Sequence, residues 1–160
     1  MTIQIGDRLP KTTLKKITTS GTEDINTEAL FKGKTVALFA LPGAFTPVCT
    51  TVHLPGFSKK MDQFKAKGVD VMCLSVNDPF VMAAWGQSVH SHPDIALLAD
   101  WDAEFTKAVG LTLDGSGAGL GLRSLRYSML IKDGVVTALN VETSPSACEL
   151  SSADFVLKTL

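Results

Sequence analysis

Two mainly apolar runs, at 35–42 and 69–78, dominate the first half of the chain. Runs of this length, with glycine or proline at their ends, are typical of central strands buried on both faces. The stretch between them, 48–68, predicts a helix that closes at Gly68 with lysines in its last turns, as suits a helix C-terminus. A strand, a helix and a second strand of this length form a right-handed parallel crossover.

The alternation of strand and helix continues beyond this unit. Asn77 or Asp78 is placed to cap a helix that Pro79 opens, and 94–100 reads as a short strand followed by a helix at 101–110. Near the N-terminus, the sequence predicts a strand and turn at 13–21 and a short capped helix within 26–34 that ends at Gly33. Near the C-terminus, it predicts a hairpin at 124–142 that turns at Lys132, Asp133 and Gly134. The last predicted element is a helix at 150–160 capped by Ser151 or Ser152. Parallel crossovers followed by an antiparallel hairpin predict an α/β fold with a mixed central sheet and helices on both faces.

The glycine-rich segment 113–121 is predicted to be a mobile loop. It lacks the Gly-Lys-Ser/Thr ending of a phosphate-binding loop and does not join a strand to a helix, so a nucleotide site is not indicated.

Composition narrows the class of protein. The 160 residues, 45% hydrophobic and 19% charged, suffice for one core, so we expect a single domain over 1–160. Fifteen basic and 16 acidic residues give a net charge of −1, which argues against nucleic acid or an anionic membrane as a partner. No apolar run reaches the ~18 residues of a spanning helix, and the N-terminus does not resemble a signal peptide. The expected location is the cytoplasm.

Three cysteines, Cys49, Cys73 and Cys148, are too few and too widely spaced for the disulfide framework of a secreted domain. There is no Cys-x-x-Cys pair, so the sequence predicts neither a zinc knuckle nor a local dithiol. His90 and His92 have the His-x-His spacing found in some metal sites. We nevertheless expect a solvated loop there and no metal site. A working cysteine is therefore expected to act as a single thiol.

Cys49 occupies the most unusual position of the three. With Thr46 as N-cap and Pro47 as the first helical residue, Cys49 falls in the first turn of the helix that follows the first apolar strand. The hydroxyl of Thr46 is expected to accept an amide hydrogen bond. Unpaired amides and the helix dipole favour thiolate over thiol at such a place, whereas the alternative is a small buried hydrophobic side chain.

The same residues carry a family resemblance. "PGAFTPVC" matches the Pro-x-x-x-Thr-x-x-Cys motif of the peroxiredoxins through Pro42, Thr46 and Cys49. The longer "LPGAFTPVCTTVHLPGF", with "CLSVNDPFVMAAW" and "RSLRYSMLIKDG", is similar to the type II, or peroxiredoxin-5-like, branch over most of the chain. The resemblance implies a thioredoxin-like fold and an antioxidant thiol peroxidase that needs no metal, haem or flavin. Cys49 would be oxidised by hydrogen peroxide or an alkyl hydroperoxide to sulfenic acid, then reduced through glutathione and glutaredoxin or through thioredoxin.

The resemblance also implies roles for individual residues. Thr46 would bond the peroxide and the sulfur, Pro42 would shield the site from water, and Arg126 would reach the sulfur from a distant strand. Gly43 and His53 would lie near the site, His53 as a positional residue. Arg123 is expected to be a loop or surface charge, and the family makes a homodimer the expected assembly.

The thiol that resolves the sulfenic acid stays open. Cys73 lies on a predicted buried strand and matches a recurrent family cysteine, so it is either a core residue or a resolving thiol. Cys148 lies about two positions from the place where some relatives carry a resolving cysteine. A one-cysteine route with an external thiol is the third possibility.

Two other classes of function compete with the peroxidase. Cys49 and His53 are one helical turn apart, which makes a Cys-His hydrolase conceivable. A thioredoxin-like domain with one reactive thiol would also serve as a redox sensor without turnover.

Overall fold

The computed structural model describes residues 1–160, and a seven-stranded mixed sheet runs through its centre. The sheet order is β2-β1-β5-β4-β3-β8-β9, with the strands β1 Thr13–Thr18, β2 Gly21–Asn26, β3 Thr35–Leu41, β4 Asp70–Ser75, β5 Ala96–Ala99, β8 Tyr127–Lys132 and β9 Val135–Val141. Strands β3, β4 and β5 are parallel, whereas every other pairing is antiparallel. Strands β6 Thr112–Asp114 and β7 Leu122–Ser124 form a separate two-stranded ribbon.

Helices cover both faces of the sheet, as the sequence predicts. They are α1 Thr27–Phe31, α2 Leu54–Lys59, α3 Met61–Ala66, α4 Pro79–Ser88, α5 Glu104–Val109 and α6 Ala153–Thr159. Side chains of α2, α3, α4 and α6 belong to one apolar cluster, and those of α1 and α5 belong to another. None of the helices is long and apolar enough to cross a membrane.

Strand β3 explains why its sequence is apolar throughout. Alternate residues Ala37, Phe39 and Leu41 enter the first cluster, while their neighbours enter the second. Because successive strand side chains point to opposite faces, a strand covered on both sides must be apolar at every position. Cys49 belongs to the first cluster.

The predicted helix caps and the predicted hairpin turn are confirmed in part. Asp78, and not Asn77, caps α4 by accepting from the Val81 amide at 2.9 Å. Ser152, and not Ser151, caps α6. In the hairpin turn Asp133 and Gly134 both have positive φ, at 49° and 78°, as a two-residue turn between twisted strands requires.

The helical stretch predicted over 48–68 is present, but it is not one regular helix. A π-helical turn at Cys49–His53 precedes α2, and Lys60 separates α2 from α3. In that turn the Leu54 amide donates to the Cys49 carbonyl five residues back. Pro55 follows directly and has no amide hydrogen to continue the regular ladder.

The segment 113–121, predicted to be a mobile loop, is the connection of a β-ribbon. It begins within β6 and ends just before β7, and it contains a 3-10 turn at Ser116–Ala118. Strand β2 went unpredicted because none of its residues is buried, so no alternation marks it.

Candidate active site

Cys49 lies in the first turn of the helix that follows β3. Pro42 and Gly43 are buried at the end of β3, and the helix begins at Pro47. The Thr46 hydroxyl donates to the Gly43 carbonyl at 2.7 Å. The expectation that this hydroxyl accepts a first-turn amide is therefore wrong, and it makes no bond to the sulfur either. The Thr46 backbone carbonyl, however, accepts from the Thr50 amide at 3.0 Å and so starts the helix.

Arg126 reaches the sulfur of Cys49. Its Nη2 donates to Sγ at 3.0 Å, and both side chains are buried, at 2% and 0% exposure. The antiparallel pairing of β3 with β8 places Ala40 opposite Tyr127, so the preceding residue, Arg126, arrives where β3 ends and the Cys49 helix begins. A fixed guanidinium at hydrogen-bonding distance favours the anionic form of a sulfur atom electrostatically.

Every nitrogen of the Arg126 guanidinium has a partner. Nε and Nη2 donate to the Pro145 carbonyl at 3.3 and 3.2 Å, and Nη1 lies 2.9 Å from Nδ1 of His53. The guanidinium is therefore held in one orientation by groups from two separate parts of the chain. Pro145 was not recognised as part of the site, because a backbone carbonyl in a loop leaves no mark in the sequence.

His53 is buried and neutral. Its Nε2 lies 3.0 Å from the Ser151 carbonyl. Burial first, and the charge of Arg126 second, lower the pKa of His53 to about 3. Both ring nitrogens are occupied and neither contacts the sulfur, so the Cys49–His53 dyad of a hydrolase is not formed.

Arg123 is not the surface charge that the sequence suggests. It is half-buried, and its Nε and Nη1 donate to the carbonyls of Leu120 and Pro42 at 3.0 and 3.3 Å. A Cβ at Gly43 would lie 2.5 Å from Arg123 Nη1 and 3.3 Å from Thr46 Cγ2. Glycine at 43 therefore permits the close approach of Arg123, and a glycine within a motif is the sequence signal that could have indicated it.

A cavity of about 360 Å³ opens above this cluster. Pro42, Thr46 and Arg126 line it together with a group of apolar and loop residues that includes Pro47, Val48, Leu113, Leu120 and Pro145. Cys49 itself is not part of the lining, since it lies beneath residues that are. The cavity combines an apolar wall with hydrogen-bonding groups next to the thiol.

The other two cysteines are free thiols like Cys49. Cys73 is fully buried on β4, and this burial raises its pKa well above the ordinary value. Cys148 is half-buried between β9 and α6, and burial raises its pKa too. Both are therefore thiols, not thiolates, at neutral pH.

No cluster of three or more His, Cys, Asp or Glu side chains is placed to hold a metal ion. Of the two loop histidines, His92 accepts from the Asp94 amide at 3.1 Å. That bond keeps His92 within its own loop.

The chain is similar to known proteins along nearly its whole length. The Redoxin family matches residues 4–157. Peroxiredoxin-2B of Arabidopsis thaliana is 43% identical over 160 residues, covering 99% of this chain and 98% of its own, and chloroplastic peroxiredoxin-2E of the same plant is 44% identical, covering 99% and 69%. The crystal structure of reduced Prx3 from Vibrio vulnificus in complex with H2O2 is 51% identical with a TM-score of 0.92, covering 98% of both chains.

These matches span nearly the whole chain, and they confirm the thioredoxin-like fold. Peroxidase activity follows from them, since peroxiredoxins are thiol-dependent oxidoreductases. The chain belongs to the peroxiredoxins, in the type II branch.

Proposed function

We propose that Cys49 is the peroxidatic nucleophile of this thiol peroxidase. The observation that carries the proposal is the 3.0 Å bond from Arg126 Nη2 to the sulfur. The thiolate attacks one oxygen of a hydroperoxide, so that an S–O bond forms as the O–O bond breaks. Sulfur loses two electrons and becomes a sulfenate, while the peroxide proton leaves with the second oxygen as water or alcohol. A proton from solvent then converts the sulfenate to the sulfenic acid.

Thr46 and Arg126 are proposed to bind the peroxide between them. The Thr46 hydroxyl gives its proton to the Gly43 carbonyl, so its lone pairs face the remaining space as acceptors for the peroxide O–H. Arg126 lines the cavity and supplies N–H donors where negative charge develops on the leaving oxygen. Pro42, buried beside them, excludes water from the sulfenic acid.

The cavity supports both hydrogen peroxide and small alkyl hydroperoxides as substrates. Its apolar wall, which includes Val48 and Leu120, suits an alkyl substituent, while Thr46 and Arg126 hold the peroxide oxygens. Because Cys49 lies beneath the lining, the substrate must displace the cover slightly to reach the sulfur.

An external thiol is proposed to reduce the sulfenic acid. Cys73 is fully buried, and both Cys73 and Cys148 are held as thiols by burial, which makes each a poor attacking group. A small thiol such as glutathione, followed by glutaredoxin, or the dithiol of thioredoxin reaches the cavity from solvent. The thiol of either reductant forms a mixed disulfide with Cys49 and releases water. A second thiol then attacks the mixed disulfide and restores the Cys49 thiol.

A homodimer is proposed through the face that carries Phe45 and Phe80. These side chains are 55% and 82% exposed. The bond from the Ala44 amide to Asn77 Oδ1 at 2.9 Å joins the loop that carries Phe45 to the segment just before α4, the helix that carries Phe80. Exposed aromatic side chains are typical of surfaces that bury against a partner. Replacing Phe80 by Asp should then give monomers in analytical ultracentrifugation, whereas an unchanged sedimentation coefficient would exclude this face.

The cytoplasm is the proposed location, and residues 1–160 are proposed to act as one catalytic domain. Three free cysteines without a disulfide suit a reducing compartment. Cell fractionation with an antibody against the chain tests the location. One seven-stranded sheet supports the single domain, and a single cooperative unfolding transition is expected.

Turnover assays with the three single cysteine variants test the mechanism. Cys49→Ser should abolish peroxide consumption with either reductant, and turnover at the wild-type rate would refute the role of Cys49. Cys73→Ser and Cys148→Ser should keep activity with glutathione and glutaredoxin. Loss of activity in either variant, with its fold intact, would assign a resolving role to that cysteine.

A further inference from the structure

We propose that His53 is a positioning residue for the peroxidatic site: its unprotonated Nδ1 accepts from Arg126 and thereby holds the guanidinium against the Cys49 sulfur. The inference deepens the proposed function, since it rests on Cys49 as the reacting thiol. It assigns a task to a buried polar side chain that takes no part in the reaction itself.

The hydrogen-bond chemistry allows one tautomer of His53. The Ser151 carbonyl, 3.0 Å from Nε2, can only accept, so Nε2 must carry the proton. The Arg126 Nη1, 2.9 Å from Nδ1, can only donate, so Nδ1 must be the bare nitrogen. A doubly protonated ring would set two N–H groups against each other and push Arg126 away.

The ring is held so that it can act as a rigid acceptor. Its centroid lies 4.9 Å from that of Phe39 and 5.8 Å from that of Phe57, and the side chain is 1% exposed. The Ser151 carbonyl fixes the rotation about the remaining bond. Arg126 therefore meets an acceptor whose place is set by packing before the guanidinium arrives.

The two ends of the π-helical turn bind one guanidinium. Cys49 begins the turn and receives Nη2, while His53 ends it and receives Nη1. Because the guanidinium is planar and rigid, fixing Nη1 at His53 also fixes the direction of Nη2 toward the sulfur. Without His53, Nη1 would be a buried donor with no partner, which favours rotation of Arg126 toward solvent.

The groups around the sulfur leave Arg126 as the one charged side chain that touches it. His53 faces it from the same helix, Cys73 from β4, and Cys148 from the segment after β9, all of them uncharged at neutral pH. The carboxylate of Glu142, which lies close enough to Cys148 to affect the pKa of that thiol, is bound to the Ser151 amide and hydroxyl. A change in the reactivity of Cys49 in a His53 variant therefore reports on Arg126.

Two substitutions separate the acceptor from the donor of His53. His53→Asn carries an amide oxygen near the place of Nδ1, and so keeps the acceptor for Arg126. His53→Gln carries an amide nitrogen near the place of Nε2, and so keeps only the donor to Ser151. The readout is the alkylation rate of Cys49 by iodoacetamide as a function of pH, in the full chain with Cys73→Ser and Cys148→Ser present throughout.

At neutral pH the alkylation rate should fall roughly tenfold in His53→Gln, as for the loss of one hydrogen bond to a charged group. In His53→Asn the rate should stay within about twofold of the parent. Equal losses in both variants, or no loss in His53→Gln, would overturn the proposal, because a purely structural role treats the two alike. Alkylation needs no peroxide, so a failure of the peroxidase mechanism would appear separately, as absent peroxide consumption.

A measurement on the wild-type chain avoids any variant that does not fold. In ¹⁵N NMR spectra of the histidine rings, His53 should show protonated Nε2 and bare Nδ1 across the range from about pH 5 to pH 8, since its pKa is about 3. A proton on Nδ1 anywhere in that range would refute the role as an acceptor.

Discussion

Replacing Arg126 by Lys removes the guanidinium and leaves a positive charge nearby. Arg126 makes four hydrogen bonds, two to Pro145, one to His53 and one to the sulfur, and a single ammonium group cannot reproduce that planar arrangement. A hydrogen bond to a charged group contributes about 1.5–3 kcal/mol. Since about 1.4 kcal/mol corresponds to a factor of ten, the second-order rate constant with hydrogen peroxide should fall by roughly 10- to 150-fold.

The chain offers both a reporter and a matched control for this experiment. Trp85 is fully buried and its indole donates to Thr50 Oγ1 at 3.0 Å, next to Cys49, so stopped-flow fluorescence should follow oxidation of the sulfur. Arg123→Lys changes the same residue type three positions away, where the side chain bonds carbonyl groups and not the sulfur. It should lose much less than Arg126→Lys.

The size of the fall in the rate constant of Arg126→Lys shows whether a directed guanidinium bond to the sulfur is needed. Arg126→Lys within about threefold of the wild type, with its melting temperature unchanged, would show that a directed guanidinium bond is not needed. Equal losses for Arg123→Lys and Arg126→Lys would show that the loss does not come from the bond to the sulfur, which only Arg126 makes. Either result would refute the reasoning from geometry.

Three further changes test the surroundings of the site. Gly43→Ala should slow peroxide reduction, because the new Cβ would lie 3.3 Å from Cγ2 of Thr46 and 2.5 Å from Nη1 of Arg123 and would shift the Thr46 hydroxyl that is proposed to bind the peroxide. Unchanged kinetics would contradict this effect. Tyr127→Phe should raise the free energy of unfolding by ~1 kcal/mol, since the Tyr127 hydroxyl is buried with no hydrogen-bond partner, and urea unfolding measures the change. Burial opposes ionisation of Glu142, but hydrogen bonds from Ser151 and from backbone amides outweigh it and lower its pKa. The stabilisation by ionised Glu142 is therefore full above its unfolded-state value near pH ~4.3 and is lost as the pH falls through the lower folded pKa. In thermal unfolding scans, the deficit of Glu142→Gln relative to the wild type should shrink over that acid range, and a constant deficit would contradict the assignment.

Much of the fold follows from local patterns. Strand β3 is recognisable because burial on both faces demands an unbroken apolar run, and the hairpin turn because Asp133 and Gly134 tolerate positive φ. Strand β2 escapes because an exposed edge strand carries no periodic signal. The π-helical turn escapes because its widening depends on Pro55 together with the tertiary contacts of Cys49 and His53.

The site also contains one part that the sequence predicts and one part that only the fold brings together. Thr46, Pro47 and Cys49 are neighbours in sequence, so the junction is visible without coordinates. Arg126 contacts His53 from 73 residues away, and the strand pairing that unites them is not a local property. The family motif supplied the link to Arg126, yet the tasks of Arg123 and His53 emerge only from their hydrogen bonds.

The most direct test of the central claim is a search for the oxidised sulfur. The reduced wild-type chain is treated with one equivalent of hydrogen peroxide in the presence of a sulfenic-acid probe such as dimedone, and the modified residue is located by peptide mass spectrometry. The account predicts stoichiometric labelling at Cys49, with Cys73 and Cys148 unlabelled. Labelling at either of those cysteines with none at Cys49 would contradict it.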